Sequence, residues 1–175
     1  MKRVIPLRKI WIFIIPAMVL TWSIFFLKLS GPFYQTRIDP DYVYLLNGLN
    51  CATLEFSRIG HIDHPGTPFQ VITGLFIRIT HLVAGQGPIV DDVISRPEFY
   101  LTVLAFYLSL LTALTLLWLG RIVLKFGNDF LGAIILQLSV FFNIFLIDLP
   151  CRYIPDRMLS LVVLIFAGNC IRYFY

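Results

Sequence analysis

Charged residues are scarce in this chain of 175 residues, where Lys, Arg, Asp and Glu together make up 14%. Soluble domains carry roughly a quarter. Disorder requires low hydrophobicity, but 58% of this chain is hydrophobic, and three cysteines are too few for a disulfide scaffold. Aromatic residues are in excess, with 16 Phe, 8 Tyr and 3 Trp. A water-facing surface of this size cannot hide that apolar content, so lipid is the expected solvent for much of the chain.

The net charge of +4 indicates orientation in a membrane and no nucleic-acid partner. The basic residues are spread between apolar runs, and no aromatic-basic cluster or nucleic-acid motif is present. Four of them precede the first apolar run: Lys2, Arg3, Arg8 and Lys9. The positive-inside rule therefore places the N-terminus in the cytoplasm. The run is long for a signal-peptide core, so we expect an uncleaved anchor.

Four apolar runs have about the length that a membrane-spanning helix needs, and they cover residues 10–29, 99–119, 130–147 and 158–175. The linker from Gly120 to Asn128 contains Arg121 and Lys125 and no acid, so it is expected to be cytoplasmic. Residues 30–98 then form an outer loop. Pro16 interrupts the first span, and such a kink is tolerated when a neighbouring helix satisfies the freed carbonyl.

Residues 69–84 could also span the membrane, which would invert everything after them. They divide into two faces at helical spacing, an apolar one with Phe69, Ile72, Phe76, Ile79 and Val83, and a second one with Gln70, Gly74, Arg78 and His81. This pattern predicts a helix lying in the interface, because a central Arg78 is expensive in a true span. Residues 42–58 show the same amphipathic pattern and predict a second interfacial helix. Its apolar stripe consists of Tyr42, Leu45, Leu49, Ala52 and Phe56, and Asn47 lies off that stripe.

The predicted fold is therefore an all-α, multi-pass protein of the plasma or inner membrane. It has four transmembrane helices and two interfacial amphipathic helices in the first outer loop, and residues 1–175 form a single membrane domain. The loop 30–98 also holds seven of the ten acids. Polar chemistry is consequently expected on the outer side.

The segment Asp39-Pro40-Asp41-Tyr42 has the pattern of a helix start. Asp39 suits an N-cap, Pro40 the first helical position, and Asp41 complements the helix dipole. A cap also holds a carboxylate rigidly at the membrane surface, so capping and catalysis can coexist. Both interpretations of Asp39 stay open at this point.

A second polar cluster contains His61, Asp63 and His64. Its spacing is not that of a helical zinc motif, which argues against a metal site. Further along, Arg152 and Arg157 occupy the charged turn before the last span. They either snorkel to the interface or bind an anionic ligand there.

On the third span, Gln137 and Asn143 are expected to hold helices together through their amides rather than to bind a ligand.

The order of these parts resembles the N-terminal portion of the GT-C superfamily of membrane glycosyltransferases, such as protein O-mannosyltransferases and lipid A aminoarabinose transferases. The similar features are a first span, the outer-loop acids Asp39 and Asp41 with Tyr42, an amphipathic helix, the motif His64-Pro-Gly-Thr-Pro68, and the turn from Arg152 to Arg157. The resemblance implies transfer of a sugar from a polyprenyl-phosphate donor at the outer membrane–water interface. Asp39 would be the general base and Asp41 a supporting acid.

The same resemblance implies that five residues bind the substrate: Tyr42, His61, His64, Arg152 and Arg157. The acceptor is not indicated, no metal ligand is identified, and a divalent cation stays open as a cofactor. The alternative is a noncatalytic membrane subunit, or a truncated inactive fragment, whose outer loop binds a partner and whose acids are only caps. A transporter is disfavoured because the predicted spans carry almost no ionisable group at mid-depth.

Overall fold

The computed structural model describes residues 8–35, 41–60, 67–142 and 155–174. Within these ranges the chain forms seven α-helices and no strand, which confirms the all-α prediction. The helices are α1 (Arg8–Leu29), α2 (Asp41–Ala52), α3 (Thr67–Ala84), α4 (Ile89–Ser95), α5 (Pro97–Ile122), α6 (Phe130–Phe142) and α7 (Pro155–Phe174). Two short 3-10 turns, Phe33–Gln35 and Phe56–Arg58, follow α1 and α2.

Four helices of the described segments are long and apolar enough to cross a membrane: Ile10–Leu29, Thr67–Ala84, Pro97–Gly127 and Arg157–Phe174. Three of them coincide with predicted spans. The predicted span 130–147 is represented by the 13 residues of α6, and its remainder lies outside the described residues. The chain is thus a multi-pass membrane protein by the length and composition of its helices.

The predicted linker from Gly120 to Asn128 is wrong in its extent. The helical backbone continues past Gly120 through a π-helical turn, Val123–Gly127, and the chain reverses at Asn128, whose φ of 48° lies in the left-handed region. Asparagine is one of the few residues that adopt this conformation readily. The link between α5 and α6 therefore shrinks to Asn128 and Asp129.

The central helix is α5, and α1 runs antiparallel to it. At one end, the Arg121 guanidinium lies 5.2 Å from the centre of the Phe13 ring. At the other end, the Phe33 amide, just beyond α1, donates a hydrogen bond of 2.9 Å to Glu98. We name these ends of the bundle the Arg121 end and the Glu98 end.

The last helix, α7, runs parallel to α5. Arg157 near its start meets Ser109, and Gly168 farther along leaves no room for a Cβ beside Trp118. Both contacts advance in the same direction along the two helices. Helix α6 reverses after Asn128 and returns along α5, where Gln137 reaches Leu116. The directions of α1, α5, α6 and α7 therefore alternate along the chain, as a multi-pass topology requires.

The helix α6 is joined to α1 and α5 by one side chain. Pro16 has no N–H, so the carbonyl of Ile12 loses its helical donor. Gln137 replaces that donor, because its Nε2 donates to the carbonyl oxygens of Ile12 at 3.0 Å and Leu116 at 2.9 Å. Gly120 makes room, since a Cβ there would lie 2.7 Å from Ile12 Cγ2. Both predictions, for the carbonyl freed by Pro16 and for Gln137, are confirmed.

The helices α2 and α3 pack side by side and run in the same direction. The rings of Tyr44 and Phe69 lie 5.6 Å apart near their N-terminal ends, and Arg78 Nε donates to the Ala52 carbonyl at 2.6 Å farther along. Between them the backbones approach closely at Gly74, where a Cβ would lie 2.9 Å from the Ala52 amide nitrogen. We call this pair the α2–α3 layer.

Both ends of the α2–α3 layer meet the start of α5. The Tyr42 hydroxyl, near the N-terminal end of the layer, donates to Glu98, while Arg96 reaches the Ala84 carbonyl at the other end, at 3.1 Å. Helix α3 is about 25 Å long, so a helix running alongside α5 could not bring both ends to its first turn. The layer therefore packs on the first part of α5, where the rings of Phe76 and Tyr107 also lie 4.7 Å apart. The interfacial placement of residues 69–84 stays a prediction, since their length and composition also suit a span.

The predicted faces of α3 are partly wrong. Gln70 and Gly74 were expected away from the apolar stripe, but both are buried, whereas Ile79 and Val83 of that stripe are exposed. The physical reason is the close approach to α2, which needs a glycine at the contact and turns that side of the helix inward. Apolar side chains are consequently left on the outer side of α3.

The predicted stripe of α2 is also corrected at two positions. Asn47 is buried, because its Oδ1 accepts a hydrogen bond of 3.0 Å from the Gly60 amide. Phe56 lies beyond the end of α2 and is 52% exposed. The chain turns after Ala52, so helical spacing no longer applies to Phe56.

Candidate functional site

Seven residues were predicted to form a site, and three of them lie in the described segments: Asp41, Tyr42 and Arg157. The other four lie outside the described residues: Asp39, His61, His64 and Arg152. The capping role of Asp39 therefore stays a prediction.

Asp41 is the first residue of α2 and is 2% exposed. A carboxylate in the first turn faces the unpaired N–H groups and positive end of the helix, as predicted. The residues that follow it on α2, Tyr44 and Leu45, belong to the main hydrophobic cluster at the Glu98 end. Asp41 is therefore a helix-start acid that is held inside the protein rather than on its surface.

Arg157 lies in the first turn of α7 and is 4% exposed. Its guanidinium donates to the Ser109 hydroxyl at 2.9 Å, and Ser109 lies midway along α5 between Glu98 and Arg121. Each of those two charged residues is about 17 Å away along the helix axis. Snorkelling to the interface is thus the wrong interpretation of Arg157, since its side chain is buried in the middle of the bundle.

Asp41 and Arg157 flank the same hydrophobic cluster. Met158 and Leu161, which follow Arg157, pack in the cluster that also contains Leu45. Within the described residues the buried charged side chains are Asp41, Asp92 and Arg157. A buried charge costs several kcal/mol unless it is compensated, so two opposite charges at one cluster mark it as the strongest candidate site.

Glu98 is a site residue that sequence reasoning missed. Its Oε1 accepts a hydrogen bond from the Tyr42 hydroxyl and its Oε2 one from the Phe33 amide. Burial, the hydrogen bond to Glu98 and the charge of Glu98 raise the pKa of the Tyr42 phenol above its ordinary value. The available signal was Pro97-Glu98 before an apolar run, because proline and an acid are typical of a helix start.

A second polar cluster joins α3, α4 and α5 around Asp92, which is buried. Asp92 accepts hydrogen bonds from the Tyr100 hydroxyl at 2.6 Å, Arg96 Nε at 2.7 Å and the Gln86 amide at 3.1 Å, and His81 Nε2 lies 3.9 Å away. Burial acts to raise the pKa of Asp92, but these hydrogen bonds and the Arg96 charge outweigh it and lower that pKa. The sequence carried a signal for this cluster, because Asp92, Arg96 and Tyr100 follow one another at intervals of four residues, the spacing of neighbours on one helix face.

Within the described segments, no group of three His, Cys, Asp or Glu side chains is placed to hold a metal ion. His61, Asp63 and His64 lie outside those segments. The question of a divalent cation is therefore not decided by the geometry around Asp41 and Arg157.

Comparison with protein-family models, curated proteins and solved structures finds no match to this chain. The resemblance to GT-C transferases stays a prediction that rests on the sequence motifs.

Proposed function

We propose that this chain carries the catalytic acids of a GT-C-like membrane glycosyltransferase that takes its sugar from a polyprenyl-phosphate donor. The observation that carries the proposal is the burial of Asp41 and Arg157 at one hydrophobic cluster. Ionisable side chains buried within a membrane bundle are rare, and by default they mark a functional site. An acid and an arginine at one cluster are the two charged groups that this reaction requires.

In the proposed reaction an acceptor hydroxyl attacks the anomeric carbon of the donor sugar. The bond from that carbon to the phosphate oxygen breaks, and the acceptor proton passes to a carboxylate, with Asp39 as base and Asp41 in support. The phosphate leaves as an anion and needs no proton. A guanidinium such as that of Arg157 stabilises its charge, with Arg152, His61, His64 and Tyr42 contributing to substrate binding.

We further propose that the Glu98 end faces the outside and the Arg121 end the cytoplasm. Arg121 and Lys125 lie at the same end of the bundle as the start of α1, because α1 and α5 are antiparallel. The positive-inside rule gives that end to the cytoplasm. On α3, the exposed apolar residues Val71, Leu75 and Leu82 supply a face that suits the lipid interface.

The activity test uses the full chain in lipid nanodiscs, a radiolabelled polyprenyl-phosphate sugar, and membranes of the expressing cells as the source of acceptor. We expect donor consumption, and a loss of about 100-fold or more in Asp39→Asn, the size of a general-base contribution. Asp41→Asn should lose activity as well. Asp91→Asn is the matched control, because Asp91 is an exposed acid of α4.

Wild-type activity in the variant that combines Asp39→Asn and Asp41→Asn would exclude catalysis by these acids. Absence of any donor turnover by the wild type would instead favour the noncatalytic subunit. Orientation is tested separately, by labelling single cysteines with a membrane-impermeant maleimide after Cys51, Cys151 and Cys170 are replaced by Ala. We expect labelling from outside in Val90→Cys and from the cytoplasmic side in Gly127→Cys, and the reverse pattern would contradict the topology.

A further inference from the structure

Glu98 uses both of its carboxylate oxygens to hold segments that are far away in the sequence. Oε2 accepts the Phe33 amide at 2.9 Å across 65 residues, and Oε1 accepts the Tyr42 hydroxyl across 56 residues. Phe33 is buried in the main hydrophobic cluster, and Tyr42 packs against it. One side chain of α5 therefore fixes the chain just after α1 and the first turn of α2.

Electrostatics of the helix end favour this arrangement. Glu98 lies in the first turn of α5, where a negative side chain is stabilised by the helix dipole. Within the described residues Glu98 has no ion-pair partner, whereas the nearby Arg96 pairs with Asp92. The hydrogen bonds from Phe33 and Tyr42 are thus what holds its carboxylate.

Tyr42 transmits this restraint to the candidate site, because it follows Asp41 directly on α2. A tyrosine phenol is protonated at physiological pH, so Tyr42 can donate to Glu98 there, and the Glu98 contact is one of the causes that raise its pKa. Phe33 and Tyr42 also bracket the segment that carries the acidic pair. If Glu98 loses its acceptor charge, the first turn of α2 loses a contact with α5 that joins residues 56 positions apart.

We propose that Glu98 is a positioning residue that sets the place of Asp41 through Tyr42 and the Phe33 amide. It does not touch the reacting groups in this proposal. The catalytic consequence rests on the proposed glycosyl transfer, whereas the tether itself does not. A misplacement of about 1 Å in a catalytic group can reduce the rate by about 100-fold.

The tether is tested by carbon-13 NMR of labelled tyrosine in nanodiscs, with the Tyr42 resonance identified by its loss in Tyr42→Phe. We expect Glu98→Gln to lower the pKa of Tyr42 toward the ordinary value of about 10, and to speed amide hydrogen exchange at residues 41–45. Asp91→Asn should change neither quantity. An unchanged Tyr42 titration in Glu98→Gln would overturn the proposal, whether or not the chain transfers sugar.

The positioning role is tested on kcat and KM. Glu98→Gln is expected to lower kcat between about 10-fold and 100-fold and to leave the donor KM within about twofold, because it moves the acid and not the donor. Tyr42→Phe should lower kcat to a similar extent and should also raise the donor KM, because Tyr42 is proposed to contribute to substrate binding. The double variant should lower kcat no further than either single one. Tyr34→Phe, at an exposed tyrosine beside Phe33, is the control. Unchanged kcat in Glu98→Gln, or additive losses in the double variant, would contradict the role.

Discussion

Two helix junctions of this protein each join helices through a buried polar side chain, but the chemistry of that side chain differs. The Asp92 junction (Gln86, Asp92, Arg96 and Tyr100) lies at the Glu98 end and uses charge. The Gln137 junction (Ile12, Leu116, Gly120 and Gln137) lies toward the Arg121 end and uses a neutral amide. The first is built within one stretch of the chain, while the second joins residues 125 positions apart.

The difference shows that the hydrogen-bond donors and charges near a buried position decide which polar side chain can lie there. Asp92 has its charge partner and its other donors in the adjacent turns, so burial of the carboxylate is fully compensated. Gln137 is inside an apolar crossing, and in the described residues its Oε1 has no hydrogen-bond partner. An amide tolerates this because it carries no net charge, whereas a carboxylate at the same place would be far more costly.

The largest expected effect follows from breaking the Asp92 junction. Asp92→Ala removes the acceptor of Tyr100 and Arg96 and leaves the buried Tyr100 hydroxyl without it. We expect a larger fall in the melting temperature, measured in detergent, than for any variant below. Asp91→Ala, at the exposed neighbouring acid, should leave the melting temperature almost unchanged, and equal effects of the two would show that the junction contributes little.

The same carboxylate predicts a dependence of stability on pH. Because the pKa of Asp92 is lowered in the folded protein, its stabilisation is fully present above the unfolded value of about 4. It is lost as the pH falls through the lowered pKa. Asp92→Asn should flatten this acid limb of the melting temperature below about pH 4, and an unaltered limb would assign it to other acids.

The Gln137 junction is expected to be sensitive to volume. Gly120→Ala places a Cβ against Ile12 Cγ2 and the Gln137 amide, so Gln137 must abandon its two carbonyls. We expect a loss of about 2 kcal/mol in the free energy of unfolding. Gly127→Ala is the matched control, because its nearest contact would be Asp129 Cβ at 4.0 Å. A similar loss in both variants would point to the backbone rather than to the junction.

A smaller effect on the free energy of unfolding is expected when the side-chain amide of Gln137 is removed. Gln137→Leu keeps the volume but removes the donor to Ile12 and Leu116, and hydrogen bonds between membrane helices contribute about 1 kcal/mol. Asn169→Leu serves as control, since the Asn169 amide donates only within α7, to Ile165. Unfolding in a mixed detergent series measures both variants.

The smallest expected effect tests whether Gln137 compensates for the N–H that Pro16 lacks. Pro16→Ala restores an N–H that can bond to the Ile12 carbonyl, so Gln137→Leu should cost less in that background. We expect a coupling of about 0.5 kcal/mol in the double-mutant cycle. Additive free energies would show that Gln137 does not compensate for the proline.

Much of the scaffold could be predicted from the sequence, because run length and proline chemistry are local properties. The helices α1, α5 and α7 follow from apolar runs, and the need of Ile12 for a new donor follows from Pro16. The faces of α3 could not be predicted. Its apolar residues surround the helix, and the side that packs is decided by the backbone approach at Gly74, which is a tertiary contact.

The candidate site was predicted only in part for the same reason. The position of Asp41 in a first helical turn was predicted from helix-start chemistry, which is local, whereas Tyr42 was named through the family resemblance. Glu98 was missed because its partners lie 56 and 65 residues away. The depth of Arg157 was missed because it depends on where α7 begins relative to Ser109 of α5, and no sequence pattern encodes that offset.

The repair of the Pro16 kink by Gln137 also imposes an order on biosynthesis. When α1 enters the membrane, the Ile12 carbonyl has no donor, and Gln137 is translated 125 residues later. At the usual elongation rate of about 5 to 20 residues per second, the first helix waits roughly 6 to 25 s for its partner. During that interval the Ile12 carbonyl lacks the donor that α6 supplies, so the junction of α1, α5 and α6 is completed only after Gln137 has been made.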